Sequence, residues 1–146
     1  MKKTHYRDYA TEAFRLYAQE GSLKRYKEKI YRQAIAEATK GHKQKFGSPT
    51  EAQVIRAEQA LEDVKATLLD LEAVEKTMLR LELSCYGTDK IKVLKIVYMN
   101  KGEIQRGVIQ ERVHYAEIHI PASEAEIYRW LAEARRIFAE ERGLRF

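Results

Sequence analysis

Residues 48–86 read SPTEAQVIRAEQALEDVKATLLDLEAVEKTMLRLELSCY, with no glycine at all and no proline after Pro49. The opening Ser48-Pro49-Thr50-Glu51 is a helix start. Ser48 can cap, Pro49 takes the first helical position where its missing N–H costs nothing, and Glu51 completes a capping box. Val54, Ala57, Leu61, Val64, Leu68, Leu71 and Met78 then follow on alternating three- and four-residue steps, with Glu75 interrupting. This pattern predicts one helix of about 50 Å at 1.5 Å per residue. Its seam, about three heptads long, suits a coiled coil with a second copy or packing on other helices of the same chain. A chain of 146 residues built around such a stretch, 45% hydrophobic and 34% charged with 7 Gly and 2 Pro, is expected to be all-α. It is too apolar for disorder and too poor in turn residues for a sandwich of short strands.

Working outward, the segment before it holds two shorter helical patterns. Tyr6, Tyr9, Ala10, Ala13, Phe14, Leu16 and Tyr17 recur at helical spacing until Gly21-Ser22, where Ser22 can cap the next helix. There Leu23, Tyr26, Ile30, Ala34, Ile35 and Ala38 form the apolar stripe, flanked by Lys24, Arg25, Lys27, Lys29 and Arg32. The short joint predicts an antiparallel hairpin, and Gly41–Gly47 reads as a linker. After the long stretch, Tyr86-Gly87-Thr88-Asp89 is a break, with Thr88 or Asp89 as cap for a helix carrying Ile91, Val93, Leu94, Ile96, Val97 and Tyr98. Asn100-Lys101-Gly102 closes that helix, and another runs near 103–119. Pro121-Ala122-Ser123 then turns the chain into a last helix, with Ser123 and Glu126 as a second capping box and Gly143 as the stop. Three segments result: a basic helical hairpin (1–47), a long central helix (48–86) and a C-terminal three-helix helix-turn-helix region (87–146).

Charge is unevenly spread along these segments. Residues 1–47 hold 12 Lys+Arg against 5 Asp+Glu, 48–84 hold 4 against 8, and 85–146 hold 11 against 9. Basic ends around an acidic middle suit a polyanionic partner. The single Cys85 has no partner for a disulfide or a metal centre, which points to a reducing, cytoplasmic setting. No apolar run is long enough to span a membrane, and Met1–Tyr6 leads into none, so neither a membrane partner nor a secretory signal is expected. His5, His42, His114 and His119 include no His-Glu-x-x-His pair, and there is no phosphate loop or nucleophile elbow. The sequence therefore predicts no enzyme, no metal and no cofactor.

The final third carries the functional signal. A helix, a short turn and a Ser-capped helix have the layout of a helix-turn-helix, whose second helix enters the major groove N-terminus first. On that helix Ile127, Leu131 and Ala134 share a core face, leaving Glu124, Tyr128, Arg129, Arg135 and Arg136 off it. Arg contacts phosphate or guanine, Glu accepts from cytosine, and Tyr bonds phosphate or stacks. Ser123, Glu124, Tyr128, Arg129, Arg135 and Arg136 are accordingly the candidate DNA contacts.

The stretch Ile120–Arg136, IPASEAEIYRWLAEARR, resembles the region-four helix-turn-helix of sigma factors. In that family a Ser opens the recognition helix, followed by a hydrophobic residue four positions on, a Leu and an Ala-Arg. Here these are Ser123, Ile127, Leu131 and Ala134-Arg135. Lys92–Tyr98 resembles the helix preceding it there, and the whole arrangement is similar to small phage regulators of late transcription of the RinA/ArpU type. The turn departs from the pattern, with Pro121-Ala122 where Gly and Ile or Val are usual. The resemblance implies a DNA-binding regulator acting on double-stranded DNA. The N-terminal hairpin and long helix would supply oligomerisation, phosphate contacts or a surface for RNA polymerase. A homodimer is favoured because one small reader seldom gives both affinity and specificity. Two rival readings are a small-terminase-like packaging adaptor and a helical interaction module without nucleic acid.

Overall fold

A computed structural model describes residues 3–39, 50–100 and 107–145. Among them every regular element is a helix: α1 (Lys3–Glu20), α2 (Leu23–Thr39), α3 (Glu51–Asp63), α4 (Lys65–Glu82), α5 (Gly87–Val97), α6 (Val108–His119) and α7 (Glu124–Arg142). The α1–α2 joint forms as its residues demand. Gly21 takes φ +91° and returns its N–H to the Tyr17 carbonyl at 2.8 Å, while the Ser22 hydroxyl accepts from the Arg25 N–H at 3.1 Å.

The long stretch is two helices, not one. At Val64 the backbone turns to φ −105°, ψ 19°, and its N–H reaches back three residues to the Leu61 carbonyl at 3.3 Å. That tightened turn lets α3 and α4 serve different neighbours. α3 packs on α2 and buries Gln53 and Ala57, whereas α4 buries Leu71, Ala73, Val74, Thr77 and Leu81. Ala73 and Thr77 lie off the expected seam, and the seam residues Ala57 and Leu71 are fully buried within the chain. Of the seam, Val54, Leu61, Val64, Leu68 and Met78 are only half-buried. Its cap also differs: the Thr50 hydroxyl accepts from the Gln53 N–H at 3.3 Å, and Gln53 Oε1 accepts from the Thr50 N–H at 2.8 Å. The expected caps Ser48 and Pro49, like the Gly41–Gly47 linker and the Asn100-Lys101-Gly102 stop beyond Asn100, lie outside the described residues.

The expected α1–α2 hairpin is not the main pairing either. α1 gives Ala10, Ala13 and Phe14 to the central core and packs on α4 and α7, while α2, whose buried residue is Ala34, packs chiefly on α3. The core is built by α1, α4, α5, α6 and α7. Phe14 lies parallel to Tyr98 at 5.9 Å and edge-on to Phe138 at 5.6 Å, so three helices share one aromatic contact.

Polar clasps hold the rim. Tyr9 donates to Asp70 Oδ1 at 2.6 Å and Arg142 Nε donates to the same oxygen at 2.7 Å, joining α1, α4 and α7. Glu75, the residue that interrupts the apolar seam, accepts from the Tyr17 hydroxyl at 3.2 Å. Arg80 reaches Glu140 and Glu141, both at 3.1 Å.

The α4–α5 corner is set by backbone contact. Neither Thr88 nor Asp89 caps α5; the capping position is Tyr86, in the left-handed region at φ 59°, with no side-chain cap. Its ring stacks on Trp130 with centroids 6.0 Å apart. At Gly87 a Cβ would lie 2.3 Å from the Glu82 carbonyl oxygen and 2.6 Å from that of Leu81, so the chain can double back only without one.

Two outcomes follow. Gly87→Ala forces backbone apart and should cost about 1–3 kcal/mol or more in urea denaturation. Tyr17 is pushed up to about 12, first by burial and then by the Glu75 carboxylate. Because the folded value lies above the unfolded one near 10, its contribution is complete below pH 10 and lost as pH rises towards 12. Tyr17→Phe should therefore flatten, without abolishing, the alkaline fall in stability measured by denaturation across that window; Tyr9, raised by burial and Asp70, still contributes.

Candidate nucleic-acid interface

The C-terminal unit is assembled from the turn outward. α6 ends at His119, Ile120 is extended and buried, and the Ala122 N–H bonds the Ile120 carbonyl at 2.7 Å. Ser123 then caps α7 as expected, its hydroxyl accepting from the Glu126 N–H at 3.2 Å. Only the serine's half of the expected capping box is formed among the described residues. At the far end Gly143 takes φ 76°, with Gly143 N–H on Glu140 and Leu144 N–H on Ala139, a closed glycine stop.

Between these caps α7 buries Ile127, Trp130, Leu131, Ala134, Ile137, Phe138 and Ala139. α5, α6 and α7 each contact the other two, closing over Val93, Leu94, Val97, Val113, Ala116 and Ile120. Two struts fix α7 on α5. Lys90, 8% exposed, places its ammonium 3.0 Å from Glu133 and donates to the Ser84 hydroxyl at 3.1 Å. Arg135 donates to the Tyr98 hydroxyl, with its guanidinium 6.0 Å from that ring's centroid.

The six sequence-predicted contacts are thereby divided. Ser123 is the cap. Arg135 is turned inward onto Tyr98. Arg136 is exposed but paired with Glu140 at 2.7 Å, and Glu140, held below the usual carboxylate range first by Arg80 and then by Arg136, links both arginines. Glu124 is half-buried and turned toward α6, its carboxylate within 4.8 Å of donor atoms of His114 and Glu117. Tyr128, 40% exposed, and the exposed Arg129 remain on the open face. Among the described residues Arg129 makes no ion pair.

Sequence reasoning missed both struts and the His114–Glu117–Glu124 group. The i, i+3 spacing of His114 and Glu117 was a visible signal, but the approach of Glu124 depends on the turn. Lys90 and Arg135 gave none, since a long side chain's direction is set by what packs beneath it. No helix among the described residues is long and apolar enough to cross a membrane. No protein-family model, curated protein or solved structure matches the chain.

The two arginines should separate on mutation. Arg135→Ala leaves the Tyr98 hydroxyl, on a residue 4% exposed, without its partner, and should cost about 1–3 kcal/mol in urea denaturation. Arg136→Ala removes an exposed pair and should stay within about 0.5 kcal/mol of the parent.

Proposed function

We propose that this chain is a DNA-binding transcriptional regulator of phage or prophage type, reading double-stranded DNA with α6, the Ile120–Ser123 turn and α7. The observation that carries the reading is the free end of α7. Its first two turns present Tyr128 and Arg129 outward, while the opposite face is locked on α5 and α6 and the axis is fixed by a serine cap. A recognition helix needs this combination, because base contacts demand a rigid axis and an open N-terminal face. The basic balance of the chain, with a pI of about 9.2, favours the phosphate backbone as partner. The exposed lysines and arginines of α2, among them Lys24, Lys27 and Arg32, supply phosphate contacts outside the reader. A homodimer on a twofold site belongs to the same reading, since one small reader seldom provides both affinity and specificity.

The test is selection of bound fragments from the source genome, followed by anisotropy titration at two salt concentrations. Arg129→Ala should cost about 1–3 kcal/mol on the selected site and relax its sequence preference, with thermal melting unchanged. A folded Arg129→Ala chain that binds the site as tightly as the parent removes α7 as the reader and turns attention to α2.

A further inference from the structure

We propose that His114, Glu117 and Glu124 form a transition-metal site, with zinc as its ion, that ties α6 to α7 across the turn. His114 and Glu117 are three residues apart on one face of α6, and Glu124 is the first residue of α7. Their donor atoms all lie within 4.8 Å of one another, with His114 Nδ1 3.8 Å from Glu117 Oε2. Ligands at about 2.0–2.2 Å from a tetrahedral zinc stand roughly 3.4 Å apart. The side chains of His114 and Glu117 are 52% and 43% exposed, which leaves them room to rotate toward that spacing.

The chemistry of the donors selects the ion. An imidazole beside two carboxylates suits zinc and its first-row neighbours, whereas calcium and magnesium take oxygen alone. Three protein ligands leave the fourth position to water. Electrostatics points the same way. Two carboxylates converge here from different helices, and among the described residues His114 is the only basic side chain paired with either. A divalent cation offsets both charges where one imidazole cannot. Since one ligand lies on each side of the turn, the bound ion adds a cross-link between α6 and α7. The site lies within the proposed reading unit but does not rest on that reading, since its occupancy is measured without DNA.

The experiment uses the full chain stripped with EDTA and titrated with zinc chloride by calorimetry, with cobalt(II) as a spectroscopic probe of coordination. One zinc per chain is expected, with tetrahedral cobalt absorption and a melting temperature raised by roughly 5–10 °C at a hundredfold excess over Kd. His114→Ala and Glu124→Gln should each weaken zinc binding by at least about tenfold and abolish the shift. Both should melt close to the parent in EDTA, since neither side chain belongs to the buried core. His119→Ala, whose ring lies 4.3 Å from that of Tyr115, should bind as the parent does. Absence of binding up to about 1 mM zinc, or unchanged binding in both His114→Ala and Glu124→Gln, overturns the site.

Discussion

α7 buries seven side chains, from Ile127 to Ala139, and a stripe that wide cannot be covered by a single neighbouring helix. It needs a cradle, and the rest of the chain supplies one: α4 and α5 on one side, α6 across the turn, and α1 over the aromatic end where Phe14 meets Phe138. The fold is the solution to that requirement. It explains why α1 leaves α2 to pack elsewhere, since Ala10 and Ala13 are small enough to bring α1 close to the central helices. It also explains why the central stretch breaks at Val64. α4 is claimed by α7 while α3 is claimed by α2, and an unbroken helix would hold both faces in one register.

Charge is wired into the same frame. The acidic middle of the sequence looks like a separate electrostatic feature, yet Asp70 and Glu75 on α4 accept from Tyr9, Arg142 and Tyr17. In the other direction Arg80 on α4 is taken by Glu140 and Glu141 on α7. α4 and α7 therefore exchange charge in both senses along their contact. Such exposed or half-exposed pairs add little stability singly, and a network that fixes which faces meet contributes more to register than to energy.

What was legible in the sequence follows the range of each cause. Local causes were readable: the Gly21-Ser22 joint, the Ser123 cap, the Gly143 stop and the Ile127–Leu131–Ala134 stripe all depend on residues within a turn or two. Thr50 was masked by its own neighbourhood, because Ser48-x-x-Glu51 and Thr50-x-x-Gln53 both satisfy the capping-box pattern and no local term separates them. The Val64 break carries no breaker residue, since valine is a tolerable helix residue and the competing demands come from α2 and α7. Tyr86, in a left-handed conformation, lays its ring on Trp130, 44 positions away and invisible to any window. Arg135 lies off the core face as expected, and its guanidinium is drawn to the hydroxyl of Tyr98, the residue that closes α5, a contact no local window contains.

That last difference narrows what α7 can offer a partner. A helical wheel leaves Glu124, Tyr128, Arg129, Arg135 and Arg136 among the polar side chains off the core face, as though the whole outer surface were available. Packing removes Arg135 to Tyr98, couples Arg136 to Glu140, and turns Glu124 toward His114. The outer surface then divides along its length: the last turns are committed to ion pairs with α4, and the first two are open. Drawing the Glu124 carboxylate toward α6 leaves Glu126 and Arg129 as the charges without an ion pair among the described residues of the first two turns. A reader so arranged depends on a few contacts at one end of a rigid helix, so its specificity rests on how firmly the cradle holds α7.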